Sequence, residues 1–268
     1  MRQEELLGGE KGEGESIKIA VGYDPEDDPS PLFEYSLLFS KLLCGEVVVV
    51  HALEGLVGTD TNEEEERIRK KVTEIVSKLP SELTEGVKLS VEILYGKEIE
   101  NFIQFVEKNG IDLFAFYYYK KLLGRTLSQE FLEKLPTDLL VVKEDTPFRF
   151  IERVLVPLDF SKNSLKQKEF IERLKSCSDA PRIDFLHVMD EEDSSEEEEL
   201  KLLFTELFDG LGNLKIAYGE PAEVIVEEVK RENYDLVVVG RVGKGLNLEF
   251  GNVTKEILEE VQCPVVVV

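Results

Sequence analysis

The stretch Ala222 to Gly243, AEVIVEEVKRENYDLVVVGRVG, holds two periods in succession. Ala222, Ile225, Val226 and Val229 fall at i, i+3, i+4 and i+7, one face of a helix. Leu236 to Val239 is then apolar at every position, as a parallel strand buried on both faces must be. The same succession occurs earlier, as Ile99, Phe102, Ile103 and Val106 followed by Leu113 to Tyr119. Helices alternating with such strands predict right-handed crossovers onto a parallel sheet.

Working outward, the two stretches belong to longer copies of one pattern. IKIAVGYD, ending at Asp24, answers RVLVPLD, ending at Asp159. VVVVHAL around His51 answers DFLHVM around His187. Tyr95-Gly96 and Tyr218-Gly219 are 123 residues apart, as are Asp112-Leu113 and Asp235-Leu236. DLLVV, Asp138 to Val142, answers PVVVV, Pro264 to Val268. The first copy carries about a dozen extra residues between His51 and Tyr95. Ile68, Val72, Ile75 and Val76 mark a further helix, with Leu200, Leu203, Phe204 and Leu207 as its counterpart. Each copy therefore reads β-α-β-α-β-α-β-α-β, an α/β unit with five mostly parallel strands and helices on both faces. The expected organisation is a flexible tail over 1–15, a first domain over 16–143, a linker over 144–151 and a second domain over 152–268.

Composition excludes several partners. The 32 basic and 56 acidic residues leave a net charge of −24, which opposes phosphate backbones and anionic membranes. No apolar run approaches the ~20 residues of a spanning helix. With no signal-peptide pattern at the start, a cytoplasmic protein is expected. Cys44, Cys177 and Cys263 lie far apart in sequence and form no CxxC, so reduced, buried thiols are expected rather than a disulfide framework or zinc site.

Chemistry is sought just past the strands, because ligands of open parallel sheets bind beyond their carboxyl ends. Leu236 to Val239 runs into a loop holding Gly240, Gly243 and Gly251, and Asn252 leads the next helix, in a position suited to capping it. Glycines let backbone N–H groups approach a phosphate, and a helix start supplies unpaired donors. The same glycines also suit an ordinary strand-to-helix loop.

VPLDFSKNSL, FLHVMD and the G-R-V-G…G-N-V-T loop together resemble a universal stress protein domain, over 152–268 and more weakly over 17–143. The resemblance implies a tandem universal stress protein whose second domain alone holds adenine nucleotide, ATP, with Mg2+ as its companion ion. Position by position it implies that Pro157 and Asp159 line the adenosine end and that Val188 offers main-chain groups to adenine. It further implies that Gly240 and Gly243 admit the phosphates, and that Gly251, Asn252, Val253 and Thr254 hold phosphates and ribose. Seven residues, Lys244 to Phe250, separate Gly243 from Gly251, where the family pattern has nine. In the first copy, Tyr117 and Lys120 stand where Gly240 and Gly243 stand in the second, so that site is expected to be degenerate.

Family members commonly dimerise through their final strands. Leu139 to Val142 and Val265 to Val268 are expected to pair antiparallel within one chain, an intramolecular pseudo-dimer that leaves room for a homodimer through another surface. His51 and His187 read as duplicated structural positions, and the runs Glu63 to Glu66 and Glu196 to Glu199 as solvated helix starts. No catalytic motif is present, so the remaining alternatives are a fold without nucleotide, acting through interactions, and slow ATP hydrolysis.

Overall fold

The computed structural model describes residues 16–53, 61–119, 126–161, 164–177, 181–241 and 251–268. The first half runs β1 (Ile17–Gly22), α1 (Ser30–Leu42), β2 (Gly45–Leu53), α2 (Thr61–Lys78), α3 (Ser81–Thr84), β3 (Leu89–Tyr95), α4 (Ile99–Asn109), β4 (Leu113–Tyr117), α5 (Leu127–Lys134) and β5 (Asp138–Val142). The second runs β6 (Arg153–Pro157), α6 (Ser164–Cys177), β7 (Arg182–Met189), α7 (Ser194–Phe208), β8 (Asn213–Tyr218), α8 (Pro221–Glu232), β9 (Leu236–Val239), α9 (Asn252–Glu260) and β10 (Val265–Val267). The short α3 falls within the first copy's extra residues and buries Leu83. The order of elements is otherwise the same in both halves.

All ten strands join one sheet, in the order β3-β2-β1-β4-β5-β10-β9-β6-β7-β8. Within each half every pairing is parallel. The halves meet where β5 and β10 pair antiparallel, with Leu140 opposite Val266, Val141 opposite Val265 and Leu139 opposite Val267. Leu140 and Val266 hold the same place in their repeated segments, so a local two-fold passes through that pair. Unpaired, both strands would be apolar edges; paired, they close each other.

Strand alternation divides the apolar residues between two cores. Leu140, Val142, Val266 and Val268 pack on the face covered by α1, α2, α3, α6 and α7. Leu139, Val141, Val265 and Val267 pack on the face covered by α4, α5, α8 and α9. Each core runs across both halves, and each fully buried Val, Leu or Phe contributes about 1.5–3 kcal/mol.

One local expectation needs correction. α7 buries Phe204 and Phe208, whereas Leu203 is 36% exposed. The aromatic pair stacks at 5.5 Å and meets Phe185, so the core-facing stripe runs through Phe204, Leu207 and Phe208 rather than Leu203. The linker over 144–151 is held to α1, where the Tyr35 hydroxyl donates to the Pro147 carbonyl and accepts the Arg149 N–H. Among the described residues, no helix is long and apolar enough to cross a membrane.

Candidate functional site

Strand order reverses between β1 and β4, and again between β6 and β9, and the carboxyl end of each pair is where this topology places a ligand crevice. In the second half, Pro157 ends β6, and its carbonyl accepts the Gln167 side-chain amide at 2.7 Å. The same nitrogen lies 3.0 Å from the Val238 carbonyl, so Gln167 bridges the two strands at the base of the crevice. Asp159 follows on a tight turn, where its Oδ1 accepts the Ser161 N–H and the Ser164 hydroxyl, both at 2.9 Å. Phe160, at φ +54°, turns its ring onto His187.

His187 and His51 have the same task. Nδ1 of His187 bonds the Leu158 carbonyl at 2.6 Å, and Nδ1 of His51 bonds the Tyr23 carbonyl at 2.9 Å. Each ties its strand to the turn beside it. Val188 sits one residue further along β7, half-buried, in register with Ala217. Asp24 repeats the Asp159 turn by accepting the Glu26 N–H.

Beyond β9, the Gly240 carbonyl accepts the Thr254 hydroxyl at 3.0 Å, and the Arg241 carbonyl accepts the Gly251 N–H at 3.3 Å. These bonds draw together the two ends of the loop. Gly243 lies outside the described residues, as does Lys120 of the first half. Gly251, not Asn252, is the N-cap of α9, with extended φ −59° and ψ 137° and no side-chain cap. Asn252 is already the first helical residue, so its amide cannot take the capping place expected for it. Asn252 and Val253 are exposed in the first turn, while Thr254 is buried with its hydroxyl turned inward.

The first half fills the corresponding places with its own side chains. The Tyr117 hydroxyl accepts the Leu32 N–H at 3.1 Å and donates to the Asp28 carbonyl at 2.7 Å, closing the start of α1. Burial pushes this phenol well above its usual range. The start of α5 is also satisfied: Thr126 Oγ1 accepts the Gln129 N–H, and Gln129 Oε1 accepts the Thr126 N–H. Thus one half has a tyrosine and a capping box where the other has glycine and an uncapped helix.

Arg241 was not singled out from the sequence. Its guanidinium crosses to the first half and donates to the carbonyls of Leu135 and Thr137 at 2.6 and 2.7 Å. Its own N–H donates to Val268, as the N–H of Tyr118 donates to Val142. The acidic runs have partners too: Tyr95 donates to Glu65 and Tyr218 to Glu197, a matched pair of ties from strand to helix.

A doubly wound α/β protein with its ligand crevices at the strand switch points is the class this geometry defines. Residues 212–268 match the Universal stress protein family. The match covers the C-terminal part of the second half, and the whole chain has the fold of solved universal stress proteins. A universal stress protein from Archaeoglobus fulgidus DSM 4304 superposes with a TM-score of 0.71 at 19% identity, covering 93% of this chain and 97% of that one. A functionally unknown protein from Pseudomonas aeruginosa PAO1 gives 0.69 at 14% identity, with 94% and 92% covered. No curated protein matches the chain.

Proposed function

We propose that the chain is an adenine-nucleotide-binding regulatory protein, with ATP held by the second half alone. The observation that carries this reading is the contrast between the two switch points. At one, Tyr117 and the Thr126–Gln129 box consume the donors and space that an anion would use. At the other, Gly240 has no side chain and α9 starts with no side-chain cap. Uncapped N–H groups and the positive end of a helix dipole favour phosphate oxygens.

In this reading the backbone of Gly251, Asn252 and Val253 faces the phosphates, and Mg2+ accompanies them as counter-charge. Thr254 acts indirectly, fixing α9 to the end of β9. Pro157, Asp159 and Val188 offer the adenosine end a wall already braced by Gln167, Ser161 and Ser164. Binding, rather than turnover, is the activity of this reading: the Asp159 carboxylate, beside the Ser164 hydroxyl, is engaged in bracing the turn. The competing reading, an interaction protein without nucleotide, draws support from the Thr254–Gly240 bond, which holds the short loop's ends close.

Gly240→Tyr installs the residue that the first half has at this place. ATP binding by the full chain, measured by equilibrium dialysis, should fall at least tenfold while the fold is retained. Unchanged affinity would show that phosphate does not approach at Gly240.

A further inference from the structure

The three cysteines do not keep to the expectation of separate, buried thiols. Cys44 is exposed, just beyond the end of α1, and Cys177 is the partly exposed last residue of α6. They stand 133 positions apart, yet Cys44 Sγ lies 3.6 Å from the Cys177 carbonyl. The Cys44 pKa is pushed up to about 11, first by a hydrogen bond with the Cys177 side chain and then by burial. The contact joins helix ends from opposite halves of the molecule.

The backbone at Cys44 adds an independent observation. Cys44 has φ +53°, the left-handed conformation that ends many helices and normally selects glycine or asparagine. Its N–H bonds the Lys41 carbonyl at 3.4 Å, so the conformation belongs to the α1 terminus. A side chain held at strained backbone and aimed at a second thiol is a combination that packing alone does not require.

We propose that Cys44 and Cys177 are a reversible redox pair whose disulfide staples the first half of the molecule to the second. The oxidant is a small peroxide or a low-molecular-weight disulfide. With hydrogen peroxide, one thiolate attacks the O–O bond, giving a sulfenic acid and one water. The second thiol then attacks that sulfur, the S–O bond breaks and a second water leaves. Two thiols and one peroxide thus become one disulfide and two waters. With a small disulfide, two successive exchanges release two small thiols. Exposure and backbone strain favour a labile bond over a permanent one. Oxidation makes covalent a junction otherwise held by the β5–β10 pair and by packing between the halves. The raised Cys44 pKa leaves little thiolate at neutral pH, so the reaction is slow there and quickens as the pH rises.

The test uses the full chain, treated with hydrogen peroxide or oxidised glutathione and alkylated under denaturing conditions. The expected product is a monomer that has lost two hydrogens and two alkylation sites, with one cross-linked peptide containing Cys44 and Cys177. Dithiothreitol should restore both sites, and the oxidised chain should melt several degrees higher than the reduced one. Cys44→Ser and Cys177→Ser should each abolish the product and the melting shift, while Cys263→Ser should retain both. Free Cys44 and Cys177 after oxidation, a bond to Cys263 or a bond between chains would each overturn the proposal. A bond that no glutathione redox ratio can reduce would overturn its reversibility.

Discussion

Asp184, in β7, is fully enclosed, with Tyr234 donating to its Oδ2 at 2.8 Å and Arg182, Lys215 and Arg153 at 3.3, 3.8 and 3.9 Å. Burial pushes its carboxyl up, but the Tyr234 and Asn213 hydrogen bonds and the Lys215 and Arg182 charges outweigh it and hold the pKa below the ordinary value. Asp138, which opens β5, goes the other way. Burial raises it to about 6, against the pull of Arg173, Lys166 and Arg241. The two therefore have opposite linkage. The Asp184 contribution is present above its unfolded pKa of about 4 and is lost as the pH falls through its lower folded value. That of Asp138 is present below about 4 and is lost as the pH rises through about 6. Urea unfolding at several pH values should show both signs. Asp184→Asn should cost about 3 kcal/mol at pH ~7, because its cations lose a buried partner. Asp138→Asn should add about 1–3 kcal/mol at pH ~7.5 and little at pH ~4. A parent chain more stable than Asp138→Asn at the higher pH would remove the burial argument.

At the scale of elements, α1, α5 and α9 differ in how their first turns are satisfied. Tyr117→Phe keeps the ring but removes two hydrogen bonds at the start of α1, so it should cost about 1–2 kcal/mol. A chemical-denaturation midpoint indistinguishable from the parent would mean that water serves those groups equally well. Apart from the short α3, which elements form was legible in the sequence, because apolar periodicity is local. Asp112 and Asp235 were legible as a repeat, but their reason was not. Asp112 accepts the Lys18 N–H at the start of β1, and Asp235 accepts those of Glu152 and Arg153 at the start of β6. The contrast between the switch points was legible where it depends on side-chain size, with glycine at 240 and the bulky Tyr117 at the matching place. It was not legible where partners are remote, as with Arg241 and the Leu135 and Thr137 carbonyls. Nor could residue preference decide which of Gly251 and Asn252 would take the extended capping conformation.

The whole molecule is organised around the β5–β10 pair, which makes one sheet of two and lets both cores cross the junction. Removing Val265 to Val268 would uncover Leu139 to Val142 as an apolar edge and free the Arg241 N–H from Val268. The shortened chain should associate or lose solubility, as read by light scattering. A truncated chain that stays monomeric and as stable as the parent would show that the pair does not hold the halves together. The same arrangement sets a switch point with glycine at 240 beside one filled by Tyr117, and the central claim is the proposal that the former alone holds ATP. Its most direct test is the stoichiometry of ATP binding to the intact chain by titration calorimetry. The account predicts one nucleotide per chain; two per chain, or none, would contradict it.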